Sequence, residues 1–308
     1  MSDAPVALAG SAPPWPAPMQ AVLAGLIDYA GLFPPAGLGM AETVRNFAAY
    51  QASDASWALA RLVLPVSRLQ EFEGALAALP EVERLGARFP MTALLGSDPV
   101  ADLAAVCTFN ERHVHGGPCI LSLEARVGSG EQVARLAGLV REDYELYCEL
   151  PLDGDLTALV GQVGAAGAAA KVRTGGVTPR DIPAPESVLA FLAACATEGV
   201  PCKATAGLHH ALRGDQALTY APDSPRGTLY GYLNVILAAT VLWQERSTEE
   251  AYRLLTLGRE TAPTQDPSAI HWGGISVTRD EIVQARAEFL RAIGSCSFTE
   301  PLAEAPRG

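Results

Sequence analysis

The sequence predicts an α/β fold, a (β/α)8 TIM barrel, and three observations carry that expectation. A short apolar run, a polar or Gly/Pro break and an amphipathic helix recur eight times along the chain. The length of 308 residues exceeds a typical single domain yet suits an undivided α/β barrel. The composition, 49% hydrophobic with only 6% aromatic, builds an interior from Ala, Leu and Val, the side chains of helices packed closely on a sheet. An open doubly wound sheet has the same periodicity and is the competing architecture.

The units run in order. AVLAGLIDYAG at 21–31 leads into MAETVRNFAAYQ, and ALARLVLPVS at 58–67 into LQEFEGALAAL. FPMTALLGS at 89–97 precedes DPVADLAAVCTFNER, and PCILSLEARV at 118–127 precedes GEQVARLAGLV. YELYCELP at 144–151 comes before DLTALVGQVGAAG, and AAAKVRTGG at 168–176 before ESVLAFLAACATEG. VPCKATAGLHH at 200–210 is followed, after a loop, by YGYLNVILAATVLWQ and an extra helix around STEEAYRLLTLG. The eighth unit pairs SAIHWGGISV at 268–277 with DEIVQARAEFLRAIG. Helix starts are marked by Ser129, by Thr248 with Glu250, and by Thr278 with Asp280 and Glu281. No linker divides the chain, so a single barrel is expected over 19–298, with a flexible Pro- and Ala-rich arm at 1–18 and a tail at 299–308.

A formal net charge of −12 without any basic stripe argues against nucleic acid as a partner. The six cysteines lack CxxC spacing and mostly lie in apolar runs, as reduced core residues do. The N-terminus lacks the basic start and apolar stretch of a secretion signal, and LNVILAATVLW at 233–243 is too short to span a bilayer. A cytoplasmic protein without a membrane partner is expected. Barrels of this kind often pair as homodimers, although no patch in the sequence marks an interface.

In a barrel the chemistry sits at the C-terminal ends of the strands. The polar residues closing the runs there are Asp28, Glu124, Glu149, Lys171 with Arg173, Lys203 with Thr205, and Trp272 beside Gly273. Strand alternation lets Lys171 and Arg173 share one face, and Lys203 and Thr205 another. Ammonium groups on adjacent strands would lie roughly 6 Å apart, given a strand spacing of about 5 Å. At an effective dielectric of about 20 they repel by about 2.8 kcal/mol, enough to lower one amine's pKa by about two. A neutral amine in a dry pocket is the nucleophile of Schiff-base chemistry. The competing arrangement is a buried ion-pair network, in which Asp28, Glu124 and Glu149 keep both lysines protonated.

KVRTG at 171–175 has the K-x-x-T-G form of the sixth-strand segment of deoxyribose-phosphate aldolases, and KATAGL at 203–208 resembles their seventh-strand segment. LIDYAGLFPPAG is similar to that family's first strand, VLPVS to its second, CELP to its fifth and WGGIS to its eighth, so the resemblance spans roughly residues 22–292. It implies a class I aldolase barrel in which Lys171 forms the Schiff base, Lys203 depresses its pKa and Asp28 is the first-strand aspartate. Three departures point to a different substrate. The fourth strand has no aspartate at the proton-shuttle position, and its acid, Glu124, comes further on; Arg173 replaces a small polar residue; and His209 with His210 has no counterpart.

Other residues complete the expected site. Gly175, Gly176, Gly207, Gly273 and Gly274 end three strands, where backbone N–H groups cradle an anionic group and Arg173 supplies a fork, with Thr174 and Thr205 beside them. Glycine is equally what any sharp strand exit requires. His209 or His210 offers acid–base chemistry or an anion contact; adjacent histidines point apart, so neither a metal nor another cofactor is expected. GSCSF at 294–298 resembles a capping turn after the last helix. The leading expectation is a lyase acting through Lys171 on a small carbonyl substrate with an anionic group, with Glu149, Glu124 and Asp28 sharing proton transfer. The second is an isomerase or hydrolase in which Lys171, Arg173 and Lys203 cage an anion while His209 or His210 works with Glu149. A non-catalytic binding barrel is the third.

Overall fold

The computed structural model describes residues 15–80 and 88–307. Its first half runs α1 (Ala17–Leu23), β1 (Ile27–Tyr29), α2 (Met40–Gln51), β2 (Leu59–Pro65), α3 (Leu69–Ala77), β3 (Phe89–Leu94), α4 (Pro99–Arg112) and β4 (Pro118–Arg126). There follow α5 (Gly130–Ala137), β5 (Glu145–Glu149), α6 (Leu156–Ala165), β6 (Ala169–Arg173), α7 (Pro185–Thr197) and β7 (Cys202–Thr205). The last part comprises β8 (Gly214–Ala217), β9 (Arg226–Leu229), α8 (Tyr232–Trp243), α9 (Thr248–Thr256), β10 (Thr264–Gln265), β11 (Ala269–Trp272) and β12 (Ile275–Thr278). It ends with α10 (Arg279–Glu288), β13 (Leu290–Ser295) and α11 (Thr299–Glu304).

Strands β1 to β7 and β13 close a parallel ring in that order, β13 lying between β7 and β1, with helices alternating around it. This is the (β/α)8 barrel. The apolar runs that predicted strands two to seven become those strands, and their side chains are largely buried between ring and helices. Aspartate or serine caps fix where several helices begin: Asp98 accepts from Ala101 N at 3.1 Å, Ser129 from Gln132 N at 3.4 Å and Asp155 from Ala158 N at 3.0 Å. Thr278 and Glu281 form the expected reciprocal capping box, whereas the cap before Thr248 is its neighbour Ser247.

The eighth strand lies elsewhere than expected. SAIHWGGISV folds into the antiparallel pair β11–β12, with Trp272 opposite Ile275 and the two-residue turn Gly273–Gly274 between them at φ +58° and +80°. Two glycines with positive φ between alternating strands make a hairpin turn, because only glycine adopts that backbone readily. The ring closes instead with LRAIGS at 290–295, the segment expected to end the last helix and begin a capping turn; α10 stops at Glu288 and a single residue later the chain is extended. Gly273 and Gly274 therefore lie in an appended small sheet, outside the barrel mouth.

Between β7 and β13 the chain inserts the β8–β9 hairpin, α8, α9 and the β10–β11–β12 sheet. Helix α8 is buried on every side from Tyr232 to Leu242, which explains a sequence apolar but for a few bonded polar groups such as Asn234 and Thr240, and among the described residues no helix is long and apolar enough to cross a membrane. At the ends, Trp15 is already buried ahead of α1, and the expected tail contains α11 with Pro301 and Leu302 buried. Residues 1–14 of the expected N-terminal arm lie outside the described residues.

Asn234, fully buried in the first turn of α8, ties the insertion together. It donates to the carbonyls of Leu254 (2.7 Å) and Leu257 (2.8 Å) and accepts from Arg213 N at 2.8 Å. Asn234→Ala leaves two carbonyls and one N–H without these partners in a dry setting, each worth about 1–3 kcal/mol. The expected outcome is a loss of about 3 kcal/mol, read as a lower urea midpoint with an unchanged m-value.

Candidate active site

Parallel pairing places the charged residues side by side before any side-chain geometry is considered. Glu149 is in register with Lys171 and Lys171 with Lys203, while Arg126 stands opposite Glu149. On the other side of Lys203 the ring offers only Ala292 and Gly294 from β13, and these small residues leave room for Asp28 of β1 to reach across. At Gly294 a Cβ would fall 2.9 Å from the Thr205 methyl group, so the approach of β7 to β13 depends on its absence.

The side chains form one chain of alternating charge. Lys203 Nζ donates to Asp28 and, at 2.6 Å, to Glu124 Oε1; Lys171 Nζ donates to Glu124 Oε2 and forms an ion pair with Glu149 Oε2 at 2.8 Å. Arg126 Nε closes the series on Glu149 Oε1 at 3.0 Å. Asp28 also accepts from the backbone N–H of Arg61 at 3.2 Å, and the ring of Tyr147 lies 5.0 Å from Lys203 Nζ. Three buried carboxylates thus face two buried ammonium groups, as charges withdrawn from water require, and the exposed guanidinium of Arg126 ends the series at the surface.

This arrangement revises the expected electrostatics. The two lysines are neighbours as predicted, but Glu124 stands between them with one oxygen on each. Burial works against the charge on Lys203, yet Asp28 and Glu124 outweigh it and hold its pKa above the usual lysine value. Burial would likewise raise Glu124, but Lys203 and Lys171 hold its carboxyl down to about 2.

Around the network opens a cavity of about 780 Å³ at the C-terminal ends of the strands, lined by Glu124, Glu149, Lys171, Lys203, Arg173, Thr205, Gly176, Gly207 and His209, and also by Arg126 and Gly294. Burial first, and then the neighbouring imidazole of His210, lower the His209 pKa to about 4, so His209 is neutral at pH 7. His210 does not join the cavity lining. Its ring lies against that of His209, centroids 4.4 Å apart, but Nδ1 pairs with Glu304 of α11 at 2.8 Å.

Thr174 and Gly175 act one step back. The Thr174 N–H donates to Thr205 O at 2.8 Å and its hydroxyl to Ala206 O at 2.7 Å, while Gly175 packs against the backbone of Ala206 and Gly207. These contacts zip the exits of β6 and β7 together, and Ala206 is held at φ +68°, unusual for a residue with a Cβ. Gly176 leaves space for Asp181, whose carboxylate accepts from Thr178.

Sequence reasoning passed over several groups. Arg126 is two residues beyond Glu124 on one strand, a period-two signal like that of Lys171 and Arg173. Ser295 and Cys296 line the cavity because β13 is a barrel strand, and burial pushes the Cys296 thiol up to about 11. The most direct signal is compositional: Lys171 and Lys203 are the only lysines in the 308 residues, all other basic side chains besides histidine being arginine.

The molecule is thus a (β/α)8 barrel, a fold enzymes commonly use, with an ion-pair chain at the C-terminal end of its ring. Compared with known proteins, the chain matches no family model, and no curated sequence matches it.

The network makes stability depend on pH with a definite sign. Glu124 has a folded pKa below its unfolded value, so its contribution is complete above about pH 4.5 and is lost as the pH falls toward about 2. His209, a base with a lowered pKa, removes stability as the pH falls from about 6.5 to about 4, where the unfolded chain takes up the proton first. Urea melts from pH 7 to pH 3 are expected to show both losses. His209→Gln flattens the upper range, and Glu124→Gln weakens the lower one while costing about 3–5 kcal/mol at pH 7 by breaking a buried ion pair.

Proposed function

We propose that the barrel is a lyase of the class I aldolase type, working through a Schiff base between Lys171 and a small carbonyl substrate that bears an anionic group. The observation that carries this reading is the placement of the lysines. A chain that uses arginine at every other basic position besides histidine keeps lysine only at two adjacent points in the ring, and an arginine side chain does not lose its proton in a protein. Positions chosen for fixed positive charge would accept arginine; an amine is needed where a proton must leave nitrogen.

The two lysines then divide the work. Lys203, the more deeply buried, stays an ammonium between Asp28 and Glu124 and fixes the positive end of the site. Lys171 passes a proton to Glu149, 2.8 Å away, and its nitrogen adds to the substrate carbonyl. The carbinolamine loses its oxygen as water, with a proton returned from Glu149, leaving an iminium. In the cleavage direction a carboxylate takes the proton of the hydroxyl β to the iminium carbon, and the carbon–carbon bond pair moves to nitrogen. An aldehyde departs and an enamine remains. Protonation of the enamine at carbon and hydrolysis release the second product and restore Lys171. Glu124 holds both lysines in register throughout, and Arg173 and Arg126, at the mouth on either side of Glu149, meet the anionic group.

A non-covalent anion cage of Lys171, Arg173 and Lys203 fits the geometry less well. Both ammonium groups are already turned to carboxylates, and only one of the two histidines lines the cavity.

Incubation with small aldehydes, ketones and 2-oxo acids plus cyanoborohydride is expected to add the mass of one reduced adduct, mapped to Lys171. Lys171→Arg abolishes the adduct, since it keeps the charge but not the nucleophile. With no other lysine but Lys203, labelling outside Lys171 is confined to Lys203 or the N-terminus. A panel that leaves Lys171 unmodified overturns the reading.

A further inference from the structure

The cavity is chemically divided, and the division is inherited from the ring. Strands β4 to β7 contribute Glu124, Arg126, Glu149, Lys171, Arg173 and Lys203. The facing wall, from the exits of β1, β2 and β3, is built from Phe33, Pro35, Val63, Pro65, Leu94 and Leu95. Two polar side chains interrupt it, Ser67 and Asp102, and Asp102 is engaged by the N–H of Gly96 at 2.5 Å. All six apolar residues are at least partly buried within the protein yet border the cavity, so an apolar surface is held open to the site.

A volume of about 780 Å³ falls within the roughly 300–1,000 Å³ of pockets that enclose drug-sized ligands. A three- or four-carbon carbonyl compound touching Lys171 and the arginines would leave the β1–β3 wall facing water. Wetted apolar surface of this kind gains by being covered, at roughly 25 cal/mol per Å². Among the described residues, the charges at the mouth not on the ion-pair chain from Asp28 to Arg126 are Arg173 and the engaged acids Asp102 and Asp181, so an anionic group is drawn to the β4–β6 side.

We infer that the substrate is amphiphilic: a 2-oxo carboxylate or a close relative whose carboxylate meets Arg126 and Arg173, whose carbonyl faces Lys171, and whose alkyl or aryl chain covers the Phe33–Leu95 wall. The inference rests on the Schiff-base reading for the position of the carbonyl but not for the division of the cavity.

Two assays separate the claims. In the first, half-saturation of reductive trapping by cyanoborohydride is measured for pyruvate, 2-oxobutanoate, 2-oxopentanoate, 2-oxohexanoate and phenylpyruvate. In the second, calorimetry follows binding of carboxylates without a carbonyl, from butanoate to octanoate. Both series are expected to tighten by roughly fourfold per methylene until the wall is covered. Arg173→Gln weakens every member by a similar factor, whereas Leu95→Asp flattens the dependence on chain length. Phe33→Ser, in the β1 exit loop, does the same should Leu95→Asp fail to melt cooperatively. A graded carboxylate series without any adduct overturns the Schiff base and leaves the amphiphilic site standing. Adducts whose half-saturation ignores chain length, or a flat calorimetric series, overturn the amphiphilic site.

Discussion

A single carboxylate holds the centre of the barrel together. Glu124 accepts from both lysines, one on each oxygen, and without it two nearly fully buried ammonium groups on adjacent strands would confront each other. The demand propagates outward. Lys203 needs a second counter-charge and finds Asp28 across β13; Lys171 needs one and finds Glu149; Glu149, left with an oxygen at the edge, takes Arg126. Ala292 and Gly294 are small because Asp28 must reach past them. Much of the ring's inner sequence near its C-terminal end follows from placing one acid between two bases.

The architecture was legible because helices and buried parallel strands leave strong, repeated patterns, and strands two to seven needed no more than that; of the first expected run, 21–31, the start is the end of α1 and only Ile27–Tyr29 is strand. The eighth was not legible. SAIHWGGISV alternates and ends in glycines, which suits a barrel exit and a hairpin equally, and only its pairing decides between them. LRAIGS follows its helix after one residue, with no glycine or proline to mark the change, so local pattern merges the two. With the strand misplaced, Gly273 and Gly274 were carried to the mouth while Gly294, Ser295 and Cys296, which line it, were taken for a turn.

The charged residues of the site were identifiable from strand ends, but their relations were not. Strand alternation makes Lys171 and Lys203 neighbours; it does not say that the acid on β4 reaches between them. A nine-residue β4 carries Glu124 far enough along the ring to do so, and strand length was not fixed by the pattern. His209 and His210 illustrate the same limit: they were expected to point apart, yet their rings pack together, and what separates their roles is the bond of His210 to Glu304 on α11, a helix in what composition reads as a tail.

The long insertion before β13 bears on how the ring closes. The ring's last strand is separated from β7 by a hairpin, three helices and a small sheet, so the gap between β7 and β1 is filled by a segment far along the chain from both of its neighbours. Asp28 and Lys203 sit on the two edges of that gap and meet only over β13. With β13 undocked, Lys203 would be held by Glu124 alone and Asp28 would lack Lys203 across the opening, and contacts of such long sequence separation form late. The ion pair thus acts as a closure check: its charges are mutually satisfied when the ring is whole, which links competence of the site to the docking of β13.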